Sequence, residues 1–411
     1  MPELFNVLPP KQALELLRSH IDVQTLGTDL VPTQLCLGRF LAHDLFSDGD
    51  LPSFPRCSMD GYSLRAKDTF GATEGMPAYI EVMGDIPTGA EPGFDIAPGQ
   101  AARAHTGGML APSADAVVMV EHTQTIDDRS IEIIRAVGVG ENVIQPGEDI
   151  SVGQMVLPGG HRLRPQDLGG LTAVGKATIE VARKPRVGII STGDEVISPQ
   201  DSPSPGQVRD VNSFTLAALV EKSGGVPSML GIVGDNLKLL NTAAAQGLAS
   251  HDVLVISAGS SVSARDMTAD VIQDLGEPGV LLHGVALRPG KPTVIAVVDG
   301  KPVFGLPGNP VSAMIVFNLF VQPLLAWLSG CSDPLTPPTV RAILERDIPS
   351  ATGREDYLPV RLTTRQEIRR AEPVFGKSNL IYTLVRADGL VQVPLDKGGL
   401  YQGEEVEVHL W

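Results

Sequence analysis

At 411 residues the chain exceeds what one hydrophobic core holds, and at roughly 150 residues per domain it predicts about three compact units. Its 43% hydrophobic, 4% aromatic and 19% charged composition is globular, with prolines and glycines dispersed through the chain, which excludes extensive disorder. A formal charge of −16 without a Lys/Arg-rich run excludes a non-specific nucleic-acid binder, which needs a basic face, and makes isolated loop cations such as Arg288 and Lys291 notable as a local pocket for a small anion.

Cys36, Cys57 and Cys331 are odd in number, far apart and without a CxxC pair, so neither a disulfide framework nor a zinc site is expected, and a reducing cytosol is the simplest home. The start MPELFNVLPPKQALELL lacks the basic-then-apolar pattern of a secretory signal.

In chain order, PPKQALELLRSHI (9–21) spaces Leu14, Leu17 and Ile21 as an amphipathic helix behind prolines suited to a helix start. From about 48 to 149, short pieces such as AYIEVMG and DAVVMVEHTQTI between Gly and Pro predict a β-rich lobe. Residues 150–183 form no obvious domain and are expected to complete a split extended domain begun by residues 1–47. From 184 to 330, strand and helix alternate (RVGIIST, SFTLAALVEKSGG, VPSMLGIVGD, LKLLNTAAAQGLA, DVLVISAG, MTADVIQDLG), which predicts a doubly wound, mostly parallel three-layer α/β domain. The apolar stretch VSAMIVFNLFVQPLLAWLSG (311–330) carries Asn318, Gln322 and Pro323, and reads as a buried helix, not a membrane span. The alternating segments from 331 to 411 predict a small β-domain.

Ligands of open α/β sheets bind at the carboxyl ends of the strands. There the sequence places Glu195 after GIIST, Asp235 after GIV, Ser261 and Asp266 after LVIS, and Gly308 and Asn309 after FGL. In GLPGNPVSA, Asn309 is expected to cap, and Pro310 to open, a helix whose free amides face that edge, with Ser312 in its first turn. In LRPGKP, Arg288 and Lys291 add positive charge, so the group fits a phosphate or other oxyanion, with carboxylates for an oxygen-loving divalent cation such as magnesium. In SMDGYSLRAKD, Asp60 suits a turn as well as it suits catalysis. Zinc-hydrolase, esterase and P-loop spacings do not occur.

The motifs SMDGYSLRAKD, HTGGMLAPSADAVVMVE, NVIQPGEDI, ISTGDEV, LRPGKP and GLPGNPVSA, in this order over nearly the whole chain, resemble the molybdopterin molybdenumtransferases, the MoeA-like proteins that include the gephyrin E domain. The resemblance implies a cytoplasmic enzyme of the last step of molybdenum cofactor synthesis, which inserts metal from molybdate into adenylylated molybdopterin and releases AMP with the help of Mg2+. It implies a homodimer with a C-terminal β-barrel, no membrane or nucleic-acid partner, and transient contact with the molybdopterin adenylyltransferase. By the same resemblance Asp60, Thr106 and Asp149 reach across the dimer. Glu195, Asp235 and Asp266 serve the nucleotide and metal, with Ser261 in the loop before Asp266. Arg288, Lys291, Gly308, Asn309 and Ser312 meet molybdate or the pterin phosphate, with Arg354 and Ser378 as further contacts. This chain departs from the family pattern at Pro55, Arg56 and Cys57, at Ile144, Gln145 and Pro146, where arginines are common, and at Ser263 and Arg265. Alternatives left open are a paralogue that binds the cofactor or acts as a scaffold, a tungsten-inserting variant, and an unrelated nucleotide-phosphate hydrolase.

Overall fold

The strands Arg186–Thr192, Val253–Ser257, Val294–Val298 and Lys301–Leu306 are almost wholly buried, so both their faces must be covered. In the computed structural model, which describes residues 7–22, 26–258, 262–331 and 337–411 (backbone alone at 262–266), they form the middle of a six-stranded sheet. Its order is Val226–Val233, Arg186–Thr192, Val253–Ser257, Lys301–Leu306, Val294–Val298, Pro278–His283; the first three pairings are parallel and the last two antiparallel, so Val294–Val298 alone runs against the other five described strands of this sheet. Successive residues face opposite layers. Val187, Ile189, Val253 and Val255 pack with Leu216, Phe317, Phe320 and Leu324 on one side, whereas Ile190, Leu254 and Ile256 pack with Leu240, Ala244 and Val271 on the other. The result is the three-layer α/β domain.

Among the described residues one helix, Pro310–Leu328, is long and apolar enough to cross a membrane by composition, and 72% of its apolar window is buried inside this protein. It includes a π-helical stretch, Phe317–Val321.

The helix Pro10–Ser19 departs from the domain division read from the sequence. That reading grouped it with the split domain, but its buried Ala13 and Leu17 belong to the α/β core, and Leu8 pairs with Val285 beside it. Amphipathic spacing shows that a helix has a buried face without showing which core receives it. Elsewhere in the split region, Thr28–Pro32 pairs with Thr178–Ala182 and Leu45–Phe46 with Met155–Leu157, over a small core of Cys36, Leu41, Leu163, Leu171, Ile179 and Val181.

The β-rich lobe is a six-stranded sheet built around Gly61–Leu64, Gln100–Ala104 and Ala78–Ile86. At the C-terminal end, the 11-residue strand Glu355–Arg365 pairs with Ile368–Pro373 through one half and with Gly389–Val393 through the other. Thr339–Leu344 and Glu405–Leu410 complete the ring, giving a closed five-strand barrel without a free edge.

Candidate functional site

In sequence order, the first three parallel strands of the α/β sheet lie 2-1-3, so the order reverses between Arg186–Thr192 and Val253–Ser257. A crevice opens outside such a reversal. A cavity of about 340 Å³ occupies it, lined by Thr192, Glu195, Asp210, Asn212, Ser257, Gly308 and Asn309, among others. A larger one, of about 760 Å³, adjoins it and shares Asn309 and Asn379.

The larger cavity lies between the α/β domain and the barrel. Leu287–Arg288 joins the long barrel strand in parallel, with Arg288 opposite Asp356, so the LRPGKP turn is anchored to both domains. Gly290 has φ +122°, and a Cβ there would lie 2.6 Å from side-chain carbons of Leu287 and Val316, so only glycine lets the turn lie this close to the Pro310 helix. Arg288, Lys291, Arg354 and Lys377 line the cavity, and among its described lining residues there is no carboxylate. One stands behind it: Asp356, 1% exposed, accepts from Arg354 Nε at 2.9 Å and lies 3.5 Å from Arg288 Nη1. A single buried carboxylate thus orients two guanidinium groups and leaves them a net positive charge.

Asn309 occupies the N-cap position and Pro310 the first helical position, but the expected side-chain cap does not form. Instead Asn309 Nδ2 donates to Ser378 Oγ at 3.0 Å, and Val311 N donates to the Ser378 carbonyl at 3.1 Å. A local propensity has yielded to a tertiary contact, and the barrel loop occupies one of the amides expected to be free. Ser312 is 3% exposed and lines the same cavity.

Asn212 lies outside the motifs read from the sequence. Its Nδ2 donates to Ser257 Oγ at 2.7 Å and to the Gly308 carbonyl at 2.9 Å, which ties the PGNP turn to a neighbouring strand end. The Gly308 oxygen can only accept, which fixes the orientation of the amide. Oδ1 is then buried without a partner among the described residues.

At the adjoining strand ends the acids cluster. Gly193 has φ +134°, and Asp194 Oδ1 accepts the Asp235 amide at 2.9 Å. Partial burial, with the Asp194 and Glu195 carboxylates nearby, pushes the Asp235 carboxyl above its ordinary value. Glu195 lines the smaller cavity; Asp235 lines neither. Ser261 and the side chain of Asp266 lie outside the described residues. Among those described, no group of three or more His, Cys, Asp or Glu is arranged to hold a metal ion.

The β-rich lobe carries the remaining candidates. Asp60 Oδ1 accepts both the Thr106 amide, at 2.8 Å, and the Thr106 hydroxyl, at 3.0 Å, and the amide bond leads in holding its carboxyl below the ordinary value. Asp60, Thr106 and Asp149 are exposed, and none lines either cavity. Two of the sequence departures meet here, since Arg56–Cys57 pairs with Val143–Ile144. Arg56, opposite Ile144, places a cation beside the segment that lacks its usual arginines.

The chain matches three family models in succession: the MoeA N-terminal region (domains I and II) at 8–175, a probable molybdopterin-binding domain at 188–327, and the MoeA C-terminal region (domain IV) at 341–411. It is 33% identical to the molybdopterin molybdenumtransferase of Nostoc sp. strain PCC 7120, covering 98% of this chain and 91% of that relative. It is 33% identical to the enzyme of the same name from Bacillus subtilis, covering 93% and 90%. Among solved structures it resembles the molybdopterin biosynthesis MoeA protein of Pyrococcus horikoshii OT3, with a TM-score of 0.86 and 32% identity over 99% of this chain and 100% of that one. Models and relatives agree from one end of the chain to the other, and the chain belongs to the MoeA family.

Proposed function

We propose that this protein is a molybdopterin molybdenumtransferase, which takes molybdenum from molybdate into adenylylated molybdopterin and releases AMP. The observation that carries this reading is the cation-lined cavity opening beside the switch-point crevice. Both substrates are anions, and two like unit charges about 4 Å apart repel by about 4 kcal/mol at an effective dielectric near 20. Bringing them together therefore requires fixed positive charge at the meeting point. Arg288, Arg354 and Lys291 supply it, oriented by Asp356 and by the Gly290 turn. Ser312 and Ser378 offer hydroxyls in the same cavity, and Gly308 and Asn309 form the wall between the two compartments.

Relatives named molybdopterin molybdenumtransferase, over nearly the whole length, support the transferase assignment. Magnesium fits the acid cluster by its chemistry. The donors are all carboxylate oxygens, one of them with a raised pKa, and Mg2+ is commonly held by one or two carboxylates together with substrate phosphates and water, without a complete protein cage. Glu195 and Asp235 would hold it, joined by Asp266, and it would offset phosphate charge as AMP departs.

A homodimer accounts for Asp60, Thr106 and Asp149, which are exposed and outside the cavities of their own chain. The edge strand Val226–Val233 exposes Met229, Leu230 and Ile232 at 53%, 38% and 37%, with Leu239 at 60% beyond it, an apolar surface suited to a second copy. Cys36, Cys57 and Cys331 are buried and form no disulfide with one another, which fits a reducing cytoplasm. Transient contact with the adenylyltransferase would hand over a labile substrate without release.

Incubation of the purified protein with adenylylated molybdopterin, molybdate and Mg2+ tests the reading. AMP release matched by metal insertion is expected. Tight binding without turnover would instead assign a cofactor-binding or scaffolding role, and hydrolysis of ordinary nucleotides an unrelated hydrolase. Faster turnover with tungstate would assign the tungsten-inserting variant.

A further inference from the structure

Of the four cations in the larger cavity, Lys377 belongs to no motif discussed so far. It stands in a barrel loop that lines the cavity together with the LRPGKP turn, and the backbone on both sides of it is pinned. On one side, a Cβ on Gly376 would come within 2.3 Å of Thr383 Cγ2, so the loop packs at a distance open to glycine alone. On the other, Ser378 accepts from Asn309 Nδ2 and, through its carbonyl, from Val311 N. The Lys377 carbonyl itself accepts from Leu380 N at 3.0 Å and closes a turn. A lysine on an idle surface loop needs none of these constraints.

The charge balance points the same way. Arg288 and Arg354 share Asp356, whereas Lys291 and Lys377 are exposed and take part in no ion pair among the described residues. Two guanidiniums, one carboxylate and two ammoniums leave three net positive charges around one cavity, more than a single dianion neutralises. A volume of about 760 Å³ also exceeds the needs of one tetrahedral oxyanion and suits an organic ligand as well.

The geometry points to Lys377 as a fourth anion-binding residue, held on the barrel side of the cavity to contact a tetrahedral dianionic group, either a phosphate monoester or a free oxyanion. This rests on the reading of the cavity given above. A point-charge ammonium on a flexible stem suits either source, and the experiment separates them.

Binding of molybdate and, separately, of a pterin phosphate monoester is measured by calorimetry at two salt concentrations for the full-length protein and for Lys377→Ala, Lys377→Gln and Lys377→Arg. Loss of one charge-assisted contact corresponds to about tenfold weaker binding. Lys377→Ala and Lys377→Gln should lose that factor for one of the two ligands and show a shallower salt dependence, Lys377→Arg should recover most of it, and the melting temperature should not move. The ligand that is weakened identifies the source of the anion. Unchanged affinity for both ligands in Lys377→Ala would overturn the proposal. Failure of the unmodified protein to bind either anion would instead overturn the reading of the cavity.

Discussion

The cleft between the α/β domain and the barrel and the Asp60–Thr106 pair on the β-rich lobe carry two sets of candidate residues, and they are built differently. The cleft is assembled within one chain. Asp356, Asn212 and Ser378 each hold a group from another element, and the cations line one cavity. On the lobe, the Asp60 side chain accepts hydrogen bonds from Thr106 among the described residues, and it lines neither cavity of its own chain. In the proposed dimer, one half of the site would be preorganised within a single chain, and the other would be locally ordered and completed by a second copy.

The strongest way to break this comparison is to remove the central cation. Lys291→Ala should lower molybdenum insertion by at least about 100-fold, the scale of losing one group aimed at transition-state charge, with thermal unfolding unchanged because Lys291 is exposed and its ammonium bonds to no described residue. Next comes the anchor. Asp356→Asn keeps the shape of the side chain but removes the charge that orients two arginines, so the apparent affinity for molybdate should fall by about tenfold. In steady-state kinetics this appears mainly in KM.

A smaller effect concerns the acid cluster. The folded pKa of Asp235 is raised, so its share of stability is fully present below the unfolded carboxylate value and is lost as pH rises through the folded value. At neutral pH the cluster therefore costs stability, and a bound cation relieves that cost. Mg2+ should raise the melting temperature by a few degrees at pH 7 and by less at pH 4, and Asp235→Asn should remove most of the difference. Equal shifts in both proteins would separate Asp235 from cation binding.

The α/β domain was legible because strands buried on both faces read as apolar runs, RVGIIS and DVLVIS, and because parallel strands send their carboxyl ends to one edge. The PGKP and PGNP turns were legible as loops meeting at one place, and both line the larger cavity. The pairings within the split region were not, because strands of two to five residues meet across more than a hundred positions, with no local pattern to pair them. The Asn309 cap was misread because Asn-Pro carries a strong local signal, and nothing nearby in sequence reveals that Ser378 waits across the domain boundary. Asp356 left a faint trace in GREDY, two residues beyond Arg354 on a strand; Asn212 and Lys377 left less, since their roles depend on contacts from distant segments.

Mixing two inactive variants puts the two regions into direct competition. Asp60→Ala removes the lobe carboxylate and Lys291→Ala the cleft cation, and each protein alone should be inactive in molybdenum insertion. If a working site draws its lobe from one subunit and its cleft from the other, random reassembly yields mixed dimers with one intact site each, and about a quarter of the unmodified activity returns. A mixture no more active than its two components would contradict the account, because both residues would then have to act from the same chain.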